Sequence, residues 1–517
     1  MYMTHALHRS LQQSPDKVAT IFRERRRSFR EFTDRVARLA GALQSLGMQP
    51  GDRVAMLSFN SDYYLEYLMG VWWGGGVANP VNIRWSAAEI AYSLNDCDTN
   101  ILILADRFAP MAEAIQSATQ RPLTLIYAGE KPVPDGMKSF EQLIEETQPV
   151  PDAGRGYDDL AIIMYTGGTT GFPKGVTQTH AALWCASIQR NADVAPLREG
   201  RVLHAAPLFH IGALGRAIGQ FIAGESHVII PLFEPAELLR TVERERVTEV
   251  TLVPTMLQML IDHPDFGQTD LSCVRRISYG ASPITASTLE TSLQLLPHVE
   301  FTQAYGLTET MIVASNPHEN HTGPARTKGL HMSAGRAIFG IAVKIVDAEG
   351  VEVPRGTVGE IAVKGPNVTH GYWNRPQETA SALRGGWLHT GDGAYMDDAG
   401  YIFIVDRIKD MIVSGSENVY SAEVENVICR HPAVASCAVI GLPDEKWGET
   451  VHAVVVLRPD MTATEAQIRE HCRQAIAGYK CPKSVEFRAE LPLSGIGKVL
   501  KRELRAAMEK QPAHAGH

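Results

Sequence analysis

The chain has 517 residues, 44% of them hydrophobic and 21% charged, which is too long for one hydrophobic core and ordinary for a globular protein, so two or more domains are expected. A formal net charge of −9 with no long basic run excludes a nucleic-acid-binding surface as the main business of the molecule. Seven cysteines, an odd number with no CxxC pair, fit free thiols in a reducing compartment and no structural zinc, so a cytoplasmic location is expected. The start, MYMTHALHRSLQQ, has no signal-peptide core, and the apolar stretch Tyr67 to Val77 is too short and glycine-rich to span a bilayer.

From Ser28 to about Val253, helical patterns such as SFREFTDRVARLAGALQSLG alternate with short apolar runs: RVAMLSF, NILILA, LAIIMY, HVIIP and TEVTLVP. That alternation predicts layered α/β structure. LAIIMY runs into YTGGTTGFPKG, Tyr165 to Gly175. Gly167, Gly168 and Gly171 let backbone N–H groups approach an anion, Thr166, Thr169 and Thr170 add hydroxyl donors, and Lys174 adds a point charge. The segment is not a Walker A motif, because Pro173 precedes the lysine and Gly175 follows it. Taken alone it is either a phosphate-holding loop or a glycine-rich surface loop without a ligand.

RRISYGAS and VEFTQAYG are two further runs ending in small residues, where ligand loops commonly sit. After about Gly335 the texture becomes β-rich, with AVKIVD, GEIAVKG and GYIFIVD, and a boundary is predicted at DRIKD, Asp406 to Asp410. SAEVENVICRH, ASCAVIGL, HAVVVL and ATEAQIREHCRQAI then read as a small α+β domain, and the tail QPAHAGH as disordered. The expected division is residues 1–406, a hinge at 407–410, and 411–517.

Six segments occur in one order: YTGGTTGFPKG, YGASP, QAYGLTE, TGDGA, DRIKD and PLSGIGK. In that order and over nearly the whole chain they resemble the adenylate-forming superfamily of acyl-CoA synthetases, adenylation domains and luciferases. The resemblance implies an α/β protein with a large N-terminal domain of layered subdomains, a β-rich subdomain and a small mobile C-terminal lid. It implies ATP, Mg²⁺ and CoA as the small molecules handled along with a carboxylic acid.

Residue by residue, the resemblance gives Tyr305 an aromatic face for adenine, with Ala304 and Gly306 beside it. Thr308 is a hydroxyl for the α-phosphate and Glu309 a hard oxygen ligand for Mg²⁺. Asp392 would accept the ribose hydroxyls, Arg407 would add a cation nearby, and Gly280, Ala281 and Ser282 would let backbone approach the adenine edge and the acyl chain. An aspartate in a glycine-flanked segment otherwise reads as turn chemistry.

Lys498 would bridge the substrate carboxylate and the α-phosphate, and Lys409 marks the hinge. Gly415 would line a pantetheine tunnel, next to Ser416 where relatives often carry a second glycine; Gly168 departs in the same way from a more usual serine. Trp447 has two equal readings, a stack on the CoA adenine or a core side chain. His210 would border the acyl pocket, with Pro254, Tyr279, Ala304 and Met311 around it, and Arg216 reads as a partly exposed helix charge, with contact to a second polar group on the substrate as its alternative.

The expected activity is an ATP-dependent acyl-CoA synthetase acting on a hydrophobic fatty or ring-containing acid. Transfer to a carrier protein is the alternative, and a catalytically silent nucleotide binder is a weaker one. A homodimer is compatible with the sequence, although nothing in it specifies one.

Overall fold

The computed structural model describes residues 1–166, 173–414, 417–444, 447–494 and 497–509. Gly167, Gly168, Thr169, Thr170, Gly171, Gly415, Ser416 and the tail QPAHAGH lie outside them. Among the described residues no helix is long and apolar enough to cross a membrane, and the cysteines are free thiols.

The apolar runs are strands and the intervening patterns are helices, as the alternation predicts. Helix Phe29–Ser45 starts where Ser28 and Glu31 form a reciprocal capping box, and Ile211–Ala223 ends at Gly224, whose φ of 71° needs no β-carbon. Among the described residues the strands form four sheets. An eight-stranded sheet runs Gly371–Tyr372, Lys174–Thr179, Leu160–Thr166, Val77–Pro80, Arg53–Leu57, Ile101–Leu104, Thr124–Tyr127 and Lys138–Ser139. A nine-stranded sheet carries six parallel strands in the order Glu300–Tyr305, Arg276–Gly280, Glu249–Leu252, Arg201–His204, Ser226–Ile229 and Val18–Phe22, with antiparallel strands at both edges. One apolar core joins the two, packing Val54, Ala78 and Ile162 with Phe22 and Ile229 through the helices Phe29–Ser45, Asp62–Trp73 and Ile211–Ala223.

The two faces of the nine-stranded sheet differ. In-register Ile21, Val228, Leu203, Val250, Ile277 and Phe301 share one face and form an apolar core. The other face, alternating with it, carries His204, Glu249, Thr251, Arg276, Ser278 and Thr302. Parallel strands buried on both sides are normally apolar on both, so this polar face marks something other than packing.

The β-rich region forms a third sheet of Ala342–Val346, Gly359–Lys364, Trp387–Met396, Leu383–Arg384 and Ile402–Arg407. A turn of 3-10 helix, Ile408–Asp410, leads from it into the fourth sheet, where Gly448–Leu457 pairs with Ile412–Ser414, Val434–Asp444 and Ser484–Phe487 around a separate core. Asp406 accepts hydrogen bonds from both the Ser421 N–H and its hydroxyl, each 2.6 Å, at the first residue of helix Ser421–Ile428.

Candidate active site

The strands on either side of residues 167–172 pair: Leu160–Thr166 runs antiparallel to Lys174–Thr179, and Thr166 and Lys174 stand opposite one another. Tyr165 anchors the first strand of this hairpin by donating to Asp96 at 2.6 Å. Strand Gly371–Tyr372 adds to the hairpin with Tyr372 opposite Val176. The Lys174 ammonium lies 5.5 Å from the centre of the Tyr372 ring, while the Tyr372 hydroxyl donates to Glu309 Oε1 at 2.8 Å. Burial, followed by the neighbouring Glu309 charge, pushes the Tyr372 hydroxyl pKa upward, which keeps it a donor.

QAYGLTE begins at the end of strand Glu300–Tyr305 and turns sharply. A β-carbon at Gly306 would collide with the Met311 carbonyl, and Met311 itself has φ 61°. The Thr308 carbonyl accepts from Gln178 at 3.0 Å and the Glu309 carbonyl from the Thr369 N–H at 2.7 Å, fixing the turn against the hairpin. At the end of the neighbouring strand a β-carbon at Gly280 would collide with the Ala304 carbonyl, and Ala281 has φ 69°. The missing side chain at 280 is therefore used first for strand-to-strand approach. Two left-handed non-glycine residues in the loops that follow adjacent strands are the kind of stored strain that collects at functional sites.

Asp392 does not lie in a turn as its TGDG context suggests. It is inside strand Trp387–Met396, opposite Arg407, with only the preceding Gly391 in a left-handed conformation at φ 73°. The cross-strand position explains its partners: Arg407 Nε is 3.1 Å from Oδ1 and the Tyr305 hydroxyl donates to Oδ2 at 2.7 Å. Each carboxylate oxygen keeps a second lone pair for a ligand hydroxyl. Asp392 is 6% exposed, and its burial links QAYGLTE, TGDGA and DRIKD.

Lys498 comes to the same place from the far end of the chain. Arg84 Nη1 donates to the Leu493 carbonyl at 2.7 Å, and the Thr255 hydroxyl to the Gly497 carbonyl at 3.3 Å, docking the lysine's segment on the large domain. Burial, then the adjacent Arg407, pulls Lys498 down to about 8, with Asp392 opposing. His210, at the N-cap of Ile211–Ala223, is held at about 3, first by burial and then by Lys498 and Arg84, so its ring is neutral. The buried His210 Nε2 has no hydrogen-bond partner among the described residues.

Other expected residues lie beside this cluster or away from it. Lys409 lies in the turn Ile408–Asp410, where burial and then Arg407 lower its pKa. Trp447 is 42% exposed, so it is not a core side chain. Arg216 is not a partly exposed helix charge: it is 3% exposed and bonds Glu249 through Nε at 2.8 Å. It lies one helical turn before Gln220, which is also buried, so the helix turns its polar face inward. Among the described residues no cluster of three or more His, Cys, Asp or Glu is placed to hold a metal. Glu309 alone suits Mg²⁺, which usually takes one or two protein carboxylates and completes its shell with phosphate oxygens and water. Tyr372 is the member of the site that sequence reading missed.

Buried Asp392, bonded by Tyr305 and paired with the exposed Arg407, and a lysine docked beside them from the far end of the chain place the protein in the class of adenylate-forming enzymes. The chain belongs to the AMP-binding enzyme family: residues 7–373 match the model of the AMP-binding enzyme, and residues 423–498 that of its C-terminal domain. It is 40% identical over 503 residues to a feruloyl-CoA synthase of Amycolatopsis sp, covering 96% of this chain and 97% of that protein. It is 37% identical to a fatty acid–acyl-carrier-protein ligase of Streptomyces coeruleorubidus, covering 96% and 94%. The ATP-bound crystal structure of MatB from Rhodopseudomonas palustris superposes with a TM-score of 0.89 at 31% identity, over 99% of both chains.

Proposed function

We propose that the protein is an AMP-forming carboxylate–CoA ligase for a hydrophobic acid, either a medium- to long-chain fatty acid or an aryl or other ring acid, acting in the cytoplasm. The observation that carries this reading is Lys498, half-buried beside Asp392–Arg407 and His210 while its own segment is docked through Arg84 and Thr255. An acid oxygen attacks the α-phosphorus of ATP, the bond to pyrophosphate breaks, and an acyl-adenylate forms. Bringing two anions together requires fixed cations in a water-poor site. Lys498 neutralises the charge that develops between carboxylate and α-phosphate, and neutral His210 orients the acid without adding charge.

Asp392 takes the ribose hydroxyls, and Tyr305, held by its bond to Asp392, offers its ring to adenine beside Ala304, Gly280, Ala281 and Ser282. Thr308 meets the α-phosphate; Lys174 with Thr166, Gly167, Gly168, Thr169, Thr170 and Gly171 holds the leaving pyrophosphate. Glu309, positioned by Tyr372, would hold Mg²⁺. Bound there, the ion would offset phosphate charge.

In the second step the domain after residue 410 turns about Lys409, and the CoA thiol attacks the acyl carbonyl, expelling AMP. Gly415 and Ser416 line the pantetheine path and exposed Trp447 meets the CoA nucleotide. The domain division is 1–406, 407–410 and 411–517. The similarity to an acyl-carrier-protein ligase supports carrier-protein transfer as a second reading. Pyrophosphate release across a panel of acids, followed by thioester formation with CoA against a phosphopantetheinylated carrier, tests both; activation with transfer only to the carrier rejects the CoA reading.

A further inference from the structure

Beneath helices His180–Asp193 and Ile211–Ala223, the polar face of the nine-stranded sheet holds a closed cluster of hydrogen-bonding groups that the adenylation chemistry does not use. Arg216 Nε and Arg190 Nη2 lie 2.8 and 3.3 Å from Glu249 Oε1, and Arg276 Nη1 is 3.6 Å from Oε2. Burial works against the Glu249 charge, but Arg216, Arg190 and Arg276 hold its pKa at about 2.

Within this ring several buried atoms have no hydrogen-bond partner among the described residues. They are Nη1 and Nη2 of Arg216, Nη1 of Arg190, Oε2 of Glu249, Oγ1 of Thr251, and Oδ1 of Asn191. Buried polar groups are almost always paired, and here both donors and acceptors remain open side by side. Gly219 leaves room for them, since a β-carbon there would stand 3.8 Å from Arg216 Nη1 and 3.2 Å from Asn191 Oδ1.

The cluster lies at a definite depth behind the reaction centre. Arg216 follows His210 by six residues on one helix, which is about 9 Å along its axis. Thr251, Ser278 and Thr302 each stand two residues, about 7 Å, before Val253, Gly280 and Ala304, which lie at or beside the C-terminal ends of their strands. Met311 packs against Gly215, one residue before Arg216, since a β-carbon at Gly215 would strike its sulfur.

We infer that the acid activated at this site carries a hydroxyl about 9 Å from its carboxylate, which accepts from Arg216 and donates to Glu249. This rests on the ligase reading above and names its substrate class. A neutral hydroxyl fits better than a second carboxylate because the three guanidinium groups are already opposed by Glu249, by Glu300 at 2.7 Å from Arg276, and by the nearby Asp193. An unsubstituted alkyl or aryl acid leaves the open groups unpaired, which a site built for hydrogen bonding penalises strongly.

The test is kcat/KM for pyrophosphate release with matched acids: octanoic, 8-hydroxyoctanoic and octanedioic, and cinnamic against 4-hydroxycinnamic. The wild-type enzyme is expected to favour each hydroxy acid over its unsubstituted partner by at least about tenfold, and Arg216→Met to level each pair. Equal use of the partners by the wild-type enzyme means that water alone fills the cluster and overturns the inference, as does a preference for octanedioic acid. The wild-type comparison stands even if Arg216→Met fails to fold. Release with no acid at all removes the ligase reading, and this inference with it.

Discussion

An amine held at about 8 by burial and by Arg407 is about nine-tenths protonated at pH 7 and about one-tenth at pH 9. If the Lys498 ammonium stabilises the adenylation transition state, activity belongs to the protonated form and is lost as pH rises. The kcat/KM for pyrophosphate release, which reports groups of the free enzyme, is then expected to fall about tenfold between pH 7 and pH 9. Lys498→Arg, whose charge does not titrate in this range, should flatten the profile, and Lys498→Ala should flatten it at a level lower by about 10²–10³. Thioester formation from preformed acyl-AMP, followed by acyl-CoA release, should change little in either variant. A wild-type profile flat through pH 9, or an equal loss of both half-reactions in Lys498→Ala, would refute the role given to this lysine.

Three further outcomes follow from distances and collisions. Tyr372→Phe removes the hydrogen bond to Glu309 and is expected to lower kcat/KM for Mg-ATP by about threefold to tenfold; unchanged kinetics would show that Tyr372 does not position Glu309. Arg84→Ala loses the bond to Leu493 and should slow adenylation by about twofold to tenfold while sparing thioester formation, read as two separate half-reactions. Gly280→Ala drives a methyl group into the Ala304 carbonyl and should destabilise the protein by about 1–3 kcal/mol in denaturant unfolding, with a cost near zero refuting the close strand approach.

The strands were legible because each is a short apolar run between turn-forming residues, and RRISYGAS and VEFTQAYG appear as Arg276–Gly280 and Glu300–Tyr305. Asp392 was harder: glycines on either side suggest a turn, but one left-handed glycine is accommodated inside a strand whose partner carries Arg407. Arg216 was hard to read, since with Gln220 one turn on it forms a polar stripe of the kind that usually faces solvent. Its carboxylate partner is 33 residues away, and no local pattern announces Glu249. Tyr372 escaped for the same reason, being 63 residues from Glu309 and carrying no motif of its own. What a sequence shows least well is a pair made by two elements meeting, and the polar centre of this molecule is built from such pairs.

The bonds from Asp406 to Ser421 give the linker a clock. The Asp406 carboxylate caps the first turn of helix Ser421–Ile428, so the proposed turn about residues 407–410 would strip that helix of its cap at a cost of about 0.5–2 kcal/mol. On the proposed rotation, these bonds would act as a latch at the pivot itself, distinct from the contacts at the reaction centre. Its strength would set how long an acyl-adenylate is guarded before the thiol is admitted.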